Sequence, residues 1–166
     1  MSSGSLGQGI SAACGMALSG KISGNTYKVY TILGDGEIEE GQVWEAAMFA
    51  AHYNLDNLVA VIDNNGLQID GKIQDVMSPY PIAEKFEAFG WHTIKMNAHD
   101  FDNIERAFNE AEKIAGQPVA IIQTSVKGKG VSFMENNVSW HGAAPNAEQY
   151  EQAVNELTAV LKELEG

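Results

Sequence analysis

Apolar positions along this chain change their period several times, and each change marks an element. Ile10, Ala13, Cys14, Ala17 and Leu18 recur at steps of three and four, which places them on one face of an amphipathic helix. Residues 20–27 are polar and predict a turn, and residues 29–33 form an unbroken apolar run that predicts a strand. A second helix, beginning near Glu39 and ending near Tyr53 and Asn54, carries Val43, Ala47, Ala50 and Ala51 on one face with Trp44 and Met48 beside them. Residues 58–62 are another apolar run. Residues 71–81 hold two prolines and predict a loop, with Ser78 placed to cap a short helix over 82–89. Gly90 then punctuates the chain, and residues 91–96 alternate in the manner of a strand. Ile104, Ala107, Phe108, Ala111 and Ile114 mark a helix over 100–115 that stops at Gly116 and Pro118, and residues 119–124 predict a last buried strand.

The closing helix is announced by Asn146 as cap with Gln149 three residues on. Tyr150, Val154, Leu157, Leu161 and Leu164 then repeat at alternating steps of four and three, a stripe expected to pack on the sheet, with a partner helix as the other reading. Strands alternating with helices predict an α/β fold, a parallel sheet with helices on both faces. The strands are nearly continuous apolar runs, as strands buried on both faces are. The expectation is a single domain over 1–166.

Composition narrows the function classes. At 166 residues with 45% hydrophobic residues, the chain can bury a core of its own. Ten Lys plus Arg stand against twenty-two Asp plus Glu, a formal charge of −12, which argues against a nucleic-acid surface. An anionic ligand must then be held by a metal and by backbone N–H groups. No apolar run approaches the roughly 18 residues of a membrane span, and no leader pattern is present, so no membrane role and a cytoplasmic location are expected. The lone Cys14 sits on the apolar stripe of the first helix, where packing is the expected role.

The chemistry concentrates at two strand ends. Gly34-Asp35-Gly36-Glu37 follows the first apolar run, and Asp63-Asn64-Asn65-Gly66-Leu67-Gln68-Ile69-Asp70-Gly71 follows the second. Carboxyl ends of parallel strands are where open sheets bind ligands. Gly34 and Gly36 let backbone N–H groups approach a phosphate, leaving Asp35 free for a hard cation. Mg²⁺ takes about six oxygens: two from a diphosphate, with Asp35, the Asn65 amide, the Leu67 carbonyl and water supplying the rest. Glu37 and Glu40 are expected to complement a helix dipole. Gly4-Ser5-Leu6-Gly7-Gln8-Gly9 is a glycine-rich loop before a helix, without the order of dinucleotide binders. Lys127-Gly128-Lys129-Gly130 lacks Walker spacing and predicts a flexible basic loop. His52, His92 and His99 carry no motif and are expected to be structural; His141, in Ser139-Trp140-His141-Gly142, reads on the residues alone equally as an exposed loop histidine or as a functional one.

These motifs, in this order, resemble transketolases. The Gly-Asp-Gly and the Asn thirty residues on resemble the thiamine diphosphate motif, and Asn-Gly-Leu-Gln-Ile-Asp-Gly with Trp-His-Gly narrows the likeness, which covers the chain from Gly4 to at least Pro145. The resemblance implies a diphosphate-binding (PP-type) fold and the cofactors thiamine diphosphate and Mg²⁺, with Ca²⁺ or Mn²⁺ as substitutes. It implies Asp35, Asn65 and Leu67 as metal ligands, Gly4, Leu6, Gly34, Gly36 and His141 as cofactor contacts, and His141 as the catalytic residue. It further implies the N-terminal subunit of a split transketolase, a transferase of two-carbon ketol units between sugar phosphates in carbohydrate metabolism such as the pentose phosphate pathway. Transketolases carry roughly a hundred more residues ahead of the Gly-x-Leu-Gly-Gln-Gly loop, so the chain is expected to be truncated there and inactive alone. A pyrimidine-binding C-terminal transketolase subunit is the expected partner, in a homo- or hetero-oligomer. Other readings are a deoxyxylulose phosphate synthase, a 2-oxo-acid dehydrogenase component, or a non-catalytic interaction module of the same fold.

Overall fold

The computed structural model describes residues 3–165. Its centre is a four-stranded parallel sheet of β1 (Val29–Gly34), β2 (Leu58–Asn64), β5 (His92–Asn97) and β6 (Val119–Thr124), in the spatial order β1-β2-β6-β5. The chain steps from β2 past one position to β5 and returns to fill the gap with β6. That return sets the loop after β6 beside the end of β2, an adjacency that no local pattern records.

Helices cover both faces, as the alternation of elements predicts. On one face α1 (Gln8–Ile22), α2 (Gly41–His52) and α4 (Ile82–Ala88) close a core in which Ile10, Leu33, Val43, Leu58, Ile62 and Phe86 are fully buried. Trp91 joins this core and donates its indole N–H to the Ala47 carbonyl at 2.9 Å, so its polar atom is satisfied. On the other face α5 (Phe101–Ala111) packs Ala107 and Ala111 on Val59, Val61, Ile94 and Ile121. Its start is fixed by Asp100, whose carboxylate accepts from the Asn103 N–H at 3.0 Å.

Several boundaries differ from those the pattern predicts. Helix α1 runs through Gly20 to Ile22, because the Tyr27 ring lies where a Gly20 side chain would be and its hydroxyl donates to the Met16 carbonyl. Residues 71–81 are not all loop. A short hairpin pairs β3 (Leu67–Gln68) with β4 (Gly71–Lys72) and leads into the one-turn α3 (Ile73–Val76). Ser78 caps nothing: Pro81 occupies the cap position of α4, with no side-chain hydrogen bond. Helix α5 ends at Ala111, and a turn at Glu112 and Lys113 follows it.

The largest departure is α6 (Ala147–Glu165). Its predicted cap forms reciprocally: the Gln149 N–H donates to the Asn146 side chain and the Asn146 N–H to the Gln149 side chain, both at 2.9 Å. Its apolar stripe, however, does not lie on the sheet. Tyr150, Val154, Leu157, Leu161 and Leu164 are all exposed, and Ala153 alone in the helix is buried.

Candidate functional site

The parallel register of β1 and β2 sets Gly34 opposite Asp63, so the two polar clusters leave the sheet side by side. The Asp35 N–H donates to the Asp63 carbonyl at 3.1 Å, one bond beyond the last ladder position. Asp35 then turns inward. It is 1% exposed, the one polar or charged side chain that is buried among the described residues.

Its carboxylate is held by backbone alone. Oδ1 accepts from the Gly36 N–H at 3.0 Å and Oδ2 from the Gly66 N–H at 2.6 Å. Gly66 has φ of +76°, a left-handed conformation that a side chain would strain, and it carries the amide to Asp35 while leaving Asn65 and Leu67 on either side. The Asn65 Oδ1 accepts from the Leu67 N–H at 3.0 Å, and the Asn65 amide donates to Asp63. The Asp35 carboxylate, the Asn65 amide and Leu67 therefore belong to one small neighbourhood.

No ion pair reaches Asp35 among the described residues. Burial pushes its carboxyl above the ordinary 3.8, the Asp63 charge adds to that, and the Gly66 and Gly36 N–H groups oppose it. The negative field extends to Tyr80, whose phenol is raised first by burial and then by the Asp35 charge. Asp63 itself accepts from the Gln123 amide at 3.1 Å and from the Ser125 hydroxyl, both brought in by β6.

A cavity of about 300 Å³ opens over these groups. Leu6, Gly34, Asp35, Gly36, Asn65, Leu67 and His141, every predicted contact except Gly4, line it, joined by Asp63 and Lys127. A side chain at Gly34 would meet no protein atom nearer than 4.0 Å, so the bare backbone there faces open space; at Gly36 it would press on Gln68 at 3.3 Å. His141 is exposed at the rim. It follows a 3-10 turn (Val138–Trp140) in which the Trp140 indole donates to the Phe133 carbonyl at 3.0 Å and packs at a tilt against the Phe133 ring.

Three roles differ from those expected. Glu37 does more than complement a dipole: its carboxylate accepts from the Gly7 N–H at 3.0 Å and from the Gly34 N–H at 3.2 Å, tying the glycine-rich loop to the Gly-Asp-Gly turn. The 127–130 segment is not a free basic loop. The Asn136 N–H bonds the Lys127 carbonyl at 2.9 Å, and Glu135 accepts from the Gly130 N–H at 3.0 Å. Lys127 and Asp63 are lining residues that the motifs did not single out; for Lys127 the signal is its place just beyond a strand that proves to adjoin β2. Cys14 stays a packing residue, with its thiol pushed up to about 11 by burial. The other three histidines lie outside the cavity.

The family described as transketolase, thiamine diphosphate binding domain, matches residues 1–160. The chain belongs to this transketolase family. Among the family's members, an apulose-4-phosphate transketolase subunit of Phocaeicola vulgatus is 43% identical over 165 residues, 99% of this chain and 59% of that protein. The 6-deoxy-6-sulfo-D-fructose transketolase subunit SqwG of a Clostridium species is 45% identical over 157 residues, 95% of this chain and 57% of that one. Human transketolase is 45% identical over 165 residues, which make up 26% of its length. The chain thus spans little more than half of the subunit relatives. The crystal structure of transketolase from Campylobacter jejuni superposes over 94% of this chain and 26% of that one with a TM-score of 0.89 at 29% identity. Transketolases are transferases, and the fold here is the α/β fold of their solved structures. Among the described residues, no helix is long and apolar enough to cross a membrane.

Proposed function

We propose that this chain binds thiamine diphosphate through a divalent cation, Mg²⁺ by preference, and acts with a pyrimidine-binding partner chain to transfer a two-carbon ketol unit between sugar phosphates. The observation that carries the reading is Asp35. A buried carboxylate is costly unless a positive charge or hydrogen bonds compensate it, and among the described residues two backbone N–H groups but no protein cation do so, while the Asn65 amide oxygen and Leu67 stand beside it. A carboxylate, a side-chain amide oxygen and a peptide oxygen are the hard donors that Mg²⁺ takes, with room in its shell for phosphate oxygens.

In this reading Asp35, the Asn65 amide oxygen and the Leu67 carbonyl hold the metal. Asp63 orients Asn65 through the amide that Asn65 donates to it. Gly34 and Gly36 leave space for the diphosphate, Lys127 faces it with a positive charge, and Leu6 lies towards the organic part of the cofactor. His141 at the rim contacts the diphosphate or moves a proton on the substrate. The cofactor, when bound, supplies the carbanion chemistry itself, and the chain supplies binding and orientation. The two subunit relatives are named for substrates bearing a phosphate or a sulfonate, which supports a ketose with an anionic tail as the substrate class.

Calorimetric titration of thiamine diphosphate, with Mg²⁺ and with EDTA, in the presence of the complementary chain, tests the binding. Saturable heat only with the metal supports the reading. Metal-independent binding, or none, contradicts it. Ketol transfer assayed on each chain and on their mixture then separates an enzyme subunit, active only in the mixture, from an interaction module of the same fold.

A further inference from the structure

Asp63 stands where the alternation of its strand would continue an apolar face. Val59 and Val61 on β2, with Val119 and Ile121 on β6, belong to the core that α5 covers, and Asp63 and Gln123 are the next residues of the same parity. The parallel register sets Asp63 beside Gln123. The Ser125 N–H then donates to the Asn64 carbonyl at 3.3 Å, which continues the ladder and brings the Ser125 side chain to the same face. The core thus ends in a polar cluster instead of a third apolar layer.

The two oxygens of Asp63 have different partners. Oδ1 accepts from the Gln123 amide at 3.1 Å and from the Ser125 hydroxyl, and Oδ2 accepts from the Asn65 amide nitrogen at 3.4 Å, the longest of the three. No ion pair reaches this carboxylate among the described residues. Two neutral donors from the neighbouring strand therefore hold its rotation, and that rotation sets the oxygen offered to Asn65. An amide side chain has a donating end and an accepting end of nearly the same shape, so its hydrogen bonds decide which way it points. A carboxylate only accepts. It draws the NH2 end of Asn65 to itself and leaves Oδ1 on the other side, where it accepts from the Leu67 N–H at 3.0 Å beside the cavity. A carbonyl oxygen has a second lone pair to offer, whereas a reversed amide would present two N–H donors to a cation.

We infer that Ser125 and Gln123 are positioning residues for the metal site: they hold Asp63, and Asp63 holds the Asn65 amide with its oxygen free for a divalent cation. The role rests on Asn65 being a metal ligand, as proposed above. A tie between β2 and β6 alone needs no carboxylate here, since the ladder already joins the two strands through Asn64 and Thr124.

The test uses the full chain labelled with ¹⁵N. In EDTA, the heteronuclear NOE of the Asn65 side-chain NH2 is expected to match the backbone amides of β2 in the wild-type chain, to drop in Ser125→Ala, and to recover in Ser125→Thr. The threonine returns a hydroxyl, and Ser125 borders an open surface cavity that has room for the added methyl. With the complementary chain and thiamine diphosphate present, calorimetric Mg²⁺ affinity should fall about tenfold in Ser125→Ala, further when Gln123→Leu is added, and stay within about twofold in Ser125→Thr. An Asn65 signal unchanged in Ser125→Ala overturns the inference. So does one that loosens together with the backbone amides of β2 and β6, which is a general weakening of the strand ends. Lost order with unchanged Mg²⁺ affinity overturns it as well. A wild-type chain without Mg²⁺-dependent binding overturns the cofactor reading instead, and the spectra in EDTA still decide whether Ser125 sets the Asn65 amide.

Discussion

The Asp35 carboxylate accepts the Gly66 N–H at 2.6 Å and thereby joins the turns after β1 and β2, thirty-one residues apart in sequence. One buried acceptor thus fixes the relative position of two loops whose remaining oxygens face the same cavity. Substitution there separates a structural effect from a binding effect. Asp35→Ala leaves the Gly66 and Gly36 N–H groups without their acceptor, a cost of about 1–3 kcal/mol for each that stays dry. Asp35→Asn removes the charge and keeps one acceptor oxygen, leaving one of the two backbone N–H groups facing the amide NH2. The expected result is a melting temperature in EDTA for Asp35→Asn at or above that of Asp35→Ala, with Mg²⁺-dependent cofactor affinity reduced more than about a hundredfold.

The same residue predicts a pH dependence with a definite sign. Its folded-state pKa lies above the ordinary 3.8, so in the metal-free chain the folded state binds this proton more tightly than the unfolded state. Stability from this group is therefore greatest at low pH and is lost as pH rises from 3.8 through the raised folded value. The difference in unfolding free energy between wild type and Asp35→Asn, followed from acid towards neutral pH by denaturant titration, should move steadily against the wild type. Saturating Mg²⁺ with thiamine diphosphate should remove that slope. A difference that does not change with pH contradicts the burial of an uncompensated charge.

Glu37 holds two backbone N–H groups from separate loops, Gly7 and Gly34. Glu37→Ala should cost about 1.5–3 kcal/mol, the range for hydrogen bonds to a charged group. Amide hydrogen exchange at Gly7 and Gly34 should accelerate together, because one side chain serves both. Acceleration at neither site would mean that the loop is held by other contacts.

How much of this is legible in the residues differs from element to element. Each strand of the main sheet is visible as an apolar or alternating run, and the reciprocal Asn146 and Gln149 cap is visible because capping is local. The Asp35 and Asn65 turns can be read as neighbours because consecutive parallel strands usually adjoin. Lys127 cannot be read this way: its approach depends on β6 inserting between β2 and β5, a property of the whole sheet. The role of Glu37 escapes local pattern because acidic residues near helix starts are common, and its two partners come from a distant loop and the preceding turn. The α6 stripe is misplaced onto the sheet because periodicity reports an apolar face without naming what covers it.

Lys127 predicts an electrostatic contribution of its own. Lys127→Met keeps the aliphatic stem and removes the charge facing the cavity. Thiamine diphosphate affinity at saturating Mg²⁺ should fall roughly tenfold, and the salt dependence of binding should flatten. Equal affinity and equal salt dependence would take Lys127 out of the diphosphate site.

His141 should separate binding from turnover. With the partner chain present, His141→Ala should leave cofactor affinity within a few-fold while slowing transfer by about 10²–10⁴, the usual range for loss of a positioned acid or base. Trp140→Ala, which removes the indole bond to the Phe133 carbonyl that seats the turn, should reproduce part of the loss. Unchanged turnover in His141→Ala would leave the histidine as a rim residue only.

The most direct measurement is the anomalous difference density of crystals grown with thiamine diphosphate and Mn²⁺. The account predicts one peak within about 2.0–2.3 Å of an Asp35 carboxylate oxygen, the Asn65 amide oxygen and the Leu67 carbonyl, bridged to two diphosphate oxygens. A bound cofactor whose metal lies elsewhere, or no peak between these three groups, would contradict it.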